Sequence, residues 1–218
     1  DGAAFTQTGE TAQTTADTFN VGSSAAITEG ELVVAETTTV TAGSTLTSGV
    51  EAVITTGTLS VSGSVSAEGS VTADRVEGAG NVSVADLTAG VVEMTGGSFA
   101  SDAFDTDSMT IANVDVNLGT GDFGTGSFTD SDITMTGAVT GSGLTVTGGS
   151  INAADLDVVS ADFTDTEATL GTSDLGDMTF ANSTVDVTGD LSGTSLEMTG
   201  GSVAMISGAL QANTVSVA

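Results

Sequence analysis

Cysteine, histidine, proline, tryptophan, tyrosine and lysine are all missing from the 218-residue chain, and Arg75 is its single basic side chain. Each absence removes a class of chemistry. Without Cys there is no disulfide framework and no thiol, so the redox compartment cannot be read from bridges. Without His, Cys or Lys there is no standard nucleophile–base pair, no imidazole or thiolate metal site and no Schiff base, and the chain is expected not to be an enzyme. One basic residue against 29 acidic ones gives a net charge of −28. Nothing is left to neutralise phosphate, so nucleic acid is not an expected partner, and anionic membrane surfaces are disfavoured on the same ground. No run of 18 apolar residues occurs, and no membrane insertion is expected.

What is present is small and β-branched. Hydrophobic residues make up 39% of the chain, enough to bury a core, and Val, Thr, Ile, Ser, Ala and Gly dominate. The β-branched members favour a pleated, half-buried surface. Three near-copies organise the sequence: Val92-Glu93-Met94-Thr95-Gly96-Gly97-Ser98-Phe99, Leu144-Thr145-Val146-Thr147-Gly148-Gly149-Ser150-Ile151 and Leu196-Glu197-Met198-Thr199-Gly200-Gly201-Ser202-Val203, each 52 residues after the last. Flanking positions keep the register, with Ile133, Met135, Gly137, Val139 and Gly141 lying 52 before Val185, Val187, Gly189, Leu191 and Gly193. A period held to the residue is the signature of a repeat protein.

Apolar anchors between Val65 and Val92 are separated by 6, 5, 6, 5 and 5 residues, where helices would need 3 and 4. Alternation in Val82-Ser83-Val84 and Val185-Asp186-Val187 puts one side chain in and the next out. Short strands ending in Gly, Ser, Asn or Asp follow one another without helical interruption. Three strands with their corners make a coil of roughly 17 residues, so the 52-residue unit spans three coils; two coils of 26 fit the same period. The expectation is an all-β parallel solenoid of about ten coils over residues 41–218, at ~4.8 Å per stacked strand. An antiparallel β-sandwich is the alternative, and it offers no reason for the register. The Gly-Gly pairs become corners, and the missing Pro fits a ladder that needs its N–H groups. Phe99, Ile151 and Val203 share one inward position, and Phe128 and Phe180 another.

Residues 1–40 lack this rhythm. Two readings stand: an atypical terminal cap, or an arm that adds a strand to a neighbouring molecule. The chain opens on Asp1 rather than Met, and the expectation is a secreted protein whose signal peptide has been removed.

Carboxylates are the one reactive group in number. Asp105 and Asp107, and Asp130 and Asp132, supply hard oxygen at close spacing, and calcium is the cofactor they would take. Asn81-Val82-Ser83 and Asn182-Ser183-Thr184 are glycosylation sequons. Thr-Val-Thr at 145–147 invites comparison with ice-binding faces, but the residues 52 away from Thr145 are Glu93 and Glu197. The Thr-Gly-Gly-Ser stretch is not a phosphate loop, for no helix or Lys follows it.

Val185-Asp186-Val187-Thr188-Gly189-Asp190-Leu191-Ser192-Gly193 and Leu144-Thr145-Val146-Thr147-Gly148-Gly149 resemble the repeats of secreted β-solenoid surface proteins and phage tail-fibre shafts. The resemblance spans roughly residues 45–218 and implies an extracellular, elongated, structural or adhesive role. Alternation continues through Val215-Ser216-Val217 to Ala218, leaving an open last coil of the kind natural proteins cover. The expected function is self-assembly of copies of this chain, head to tail, into a filament or surface polymer. An adhesin or tail-fibre shaft is the alternative.

Overall fold

The structure, a computed structural model, describes residues 4–218. Every strand pairing described is parallel, and no helix occurs among these residues. The chain is an all-β parallel solenoid of about 13 turns, which rules out the antiparallel sandwich. It divides into two compact units, Asp1–Thr106 and Asp107–Ala218.

The first unit contains β1 (Ala4–Gln7), β2 (Gln13–Val21), β3 (Ser24–Val40), β4 (Thr45–Val61), β5 (Ser64–Gly78), β6 (Asn81–Met94) and the start of β7 (Ser98–Ala112). β3 and β4 are each 17 residues long and wrap most of a coil in one continuous strand. They bend at register shifts, between Ile27 and Glu29 and between Val34 and Thr37, instead of breaking; such bulges kink a strand without ending it. Residues 4–40, unlike the rest in sequence, are coils here: β1 pairs with β3 from Ala4–Ser24 to Gln7–Ile27, and β2 with β3 from Gln13–Glu31 to Val21–Val40.

From β3 onward coil length falls along this unit. Leu32 pairs with Ile54, Ile54 with Val71 and Val71 with Leu87, steps of 22, 17 and 16 residues. These four side chains form one inner column and are at most 1% exposed, each contributing roughly 1.5–3 kcal/mol by burial. Gln7 lies on the inner column that continues through Ile27. Its Nε2 donates to the carbonyls of Ala12 (3.1 Å), Glu29 (3.3 Å) and Glu31 (3.1 Å), and Thr14 Oγ1 donates to its Oε1. A long polar side chain thus sits in the column with its hydrogen-bonding groups satisfied, as burial demands.

The second unit is built from shorter pieces: β8 (Asp115–Asp122), β9 (Thr125–Thr129), β10 (Asp132–Gly141), β11 (Gly143–Thr147), β12 (Ser150–Val158), β13 (Ser160–Thr164), β14 (Glu167–Asp174), β15 (Asp177–Ala181), β16 (Thr184–Val187), β17 (Leu191–Thr199), β18 (Ser202–Met205) and β19 (Leu210–Val217). Leu144 pairs with Ala161, Ala161 with Met178 and Met178 with Leu196, steps of 17, 17 and 18 that make up the 52-residue period. The long repeat is therefore three coils, as the strand lengths imply, and two coils of 26 are excluded.

One corner recurs in every coil of this unit. Asn113, Asp130, Gly148, Asp165, Asn182 and Gly200 all have positive φ, between 47° and 72°. Only Gly, and at some cost Asn and Asp, adopts that conformation readily, so the corner fixes the residue type in a column whose members look unrelated in sequence. Where the corner is Asn or Asp, the residue after it turns inward: Val114, Ser131, Thr166 and Ser183 are all buried. Ser131 Oγ accepts from Val114 N–H at 3.2 Å and donates to Thr129 O at 2.9 Å. Ser183 Oγ accepts from Thr166 N–H at 3.2 Å, with the carbonyls of Ala181 and Phe163 at 3.0 and 3.1 Å. Where the corner is Gly148-Gly149 or Gly200-Gly201, no such hydroxyl is present.

Ile111, Phe128, Val146, Phe163, Phe180, Met198 and Val217 form the inner column beside this corner. Phe163 and Phe180 are fully buried with ring centroids 5.4 Å apart. The column opens at its end: Met198 is half-buried and Val217 is 72% exposed.

Candidate functional site

Alternation on parallel strands sends every second side chain outward, so outward residues stack in columns one strand spacing apart, ~4.8 Å. This is the geometry in which 28 surplus negative charges must be arranged. Hydroxyls from the next coil bond some of them. Ser150 Oγ donates to Asp132 Oδ1 (2.8 Å), Thr140 Oγ1 to Asp122 Oδ2 (2.6 Å) and Ser195 Oγ to Asp177 Oδ1 (2.8 Å), each from the next coil. Charge-assisted bonds of this kind are among the stronger ones. Among the described pairings three acidic pairs stack directly: Asp115 with Asp132, Asp157 with Asp174 and Glu29 with Glu51. A fourth, Glu77 with Glu93, is bridged by Arg75, whose Nε lies 2.7 Å from Glu77 and whose Nη2 bonds Glu93. The hydrogen bond to Glu77 raises the Arg75 pKa, desolvation opposes it, and the charges of Glu93 and Glu77 add to the rise.

The calcium candidates occupy different settings. Asp105 and Asp107 are both exposed on β7. Asp130 is a corner residue with φ of 47°, and Asp132 begins β10 and receives the Ser150 hydroxyl. Among the described residues no group of three or more carboxylates converges on a point that would hold a metal ion. Both sequon asparagines are exposed. Asn81 Oδ1 accepts from Ser98 Oγ at 3.1 Å, and Asn182 is a corner residue with φ of 52°.

Thr145 stands beside Ser127 and Asp162 in its outward column. The period of 52 compares coils three apart, so the nearest neighbours of a surface residue are read at 17 or 18. Among the described residues no helix is long and apolar enough to cross a membrane.

Sequence reasoning missed a groove in the first unit. Ser48 pairs with Ala67 and Val53 with Ser70, so four residues of β4, 49–52, face only two of β5, 68 and 69. The surplus arches outward and leaves Val50 71% exposed. Beneath it lies a groove of about 420 Å³ lined by Val50, Ser66, Glu68, Ser83, Ala85 and Asp102, among others. The signal was present as a longer spacing between anchors in β4 than in β5, but a run of Val and Ala reads as strand whether or not it bulges. No family model, curated protein or solved structure matches the chain.

Proposed function

We propose that this chain is an extracellular structural protein whose solenoid stacks end-on with further copies, head to tail, into a filament or surface polymer. The supporting observation is the parallel stack itself: each coil pairs its backbone with the next and sets apolar side chains on shared inner columns, as Phe163 and Phe180 do, so a further layer extends both without new geometry. In this reading a second copy supplies that layer. Self-repulsion at −28 opposes the contact, so assembly should strengthen with ionic strength.

Sedimentation equilibrium combined with electron microscopy tests this. Species that lengthen with concentration, more at about 0.5 M than at about 0.01 M salt, are the expected result. Deleting residues 1–20 should shorten them. A monomer at every concentration and salt overturns the reading, and a discrete trimer transfers it to the tail-fibre-shaft class.

A further inference from the structure

We draw no further inference here: the strongest candidate, the depression at Gly143 ringed by the outward hydroxyls of Thr110, Thr125, Ser127, Thr145 and Ser160 on β7, β9, β11 and β13 of the second unit, is a periodic stripe of small residues with no buried unpartnered group among its lining residues, and nothing in the structure shows what covers it.

Discussion

Ser183 and Ser173 are both serines of the second unit, 0% and 2% exposed, and their hydroxyls do opposite things. Ser183 Oγ takes the Thr166 N–H and gives its own proton to a carbonyl. Ser173 Oγ has no partner at all, between Leu156 and Leu191 on an inner column. Ser183→Ala should therefore cost about 1–3 kcal/mol by stranding a buried N–H, whereas Ser173→Ala should be neutral or stabilising by up to about 1 kcal/mol. Urea melts of the two variants check the sign. Glycines divide in the same way. A Cβ on Gly149 would lie 2.2 Å from Ser131 O, while one on Gly43 meets nothing within 4 Å, yet both residues have positive φ. Gly43→Ala should cost about 1–2 kcal/mol for conformation alone, and Gly149→Ala clearly more, because backbone rather than side chain must move. Similar melting curves for the two would show that the corner is softer than the stacked carbonyl implies.

At the scale of the element, stacking like on like makes a column rather than a residue the unit of stability. Phe163 touches Phe180 along the column and Val146 on the other side. Phe163→Ala should cost about 3–5 kcal/mol, and the double variant with Phe180→Ala should cost less than the sum, since their ring contact is lost only once. Equilibrium unfolding of the three variants measures the coupling, and strict additivity would mean that the rings pack independently. The parallel coil, its 17-residue length and the corner at Gly148-Gly149 are legible in the sequence, because each follows from strand length, alternation or the need for positive φ. The rest of that corner is not. Asp130 and Asn182, a calcium candidate and a sequon by sequence, are also corner residues in the same column as the glycines. Three residue types satisfy one backbone requirement, so identity does not repeat even where geometry does. Gly126 is opaque for a related reason: it occupies an inner column between Met109 and Leu144, and the space it leaves is taken by the rings of Phe123 and Phe128 from elsewhere in the coil. Volume is conserved across neighbours there, and the column pattern is broken to conserve it. The groove under Val50 is hidden because a bulge changes pairing without changing composition.

For the whole molecule, charge is the term that solvent conditions can change. Directly stacked acids, Asp115 with Asp132, Asp157 with Asp174 and Glu29 with Glu51, sit well inside the ~30 Å Debye length at 0.01 M salt and are better screened at 0.15 M, where it is ~8 Å. Unfolding separates them, so the native state gains most from added salt, and the melting temperature should rise across that range. Arg75→Met removes the only cation bridging a stacked pair and should lower the melting temperature, less so at high salt. Arg75 also allows an independent check, because the chain contains no Lys and the Arg75–Val76 bond is its single trypsin site. That bond lies in β5, with Arg75 paired to Thr58 on one side and Val91 on the other, and Val76 is fully buried. Trypsin must bind its target as an unpaired extended segment, so cleavage requires β5 to leave both neighbours and follows the population of that open state. Screening that stabilises the closed coils lowers this population. The cleavage rate, divided by that of a short peptide spanning the same bond to remove the protease's own salt response, should fall as salt rises from about 0.01 to 0.15 M. A corrected rate that stays constant would mean that repulsion between stacked acids is already relieved at low salt, with the cross-coil hydroxyls at Asp122, Asp132 and Asp177 carrying the compensation.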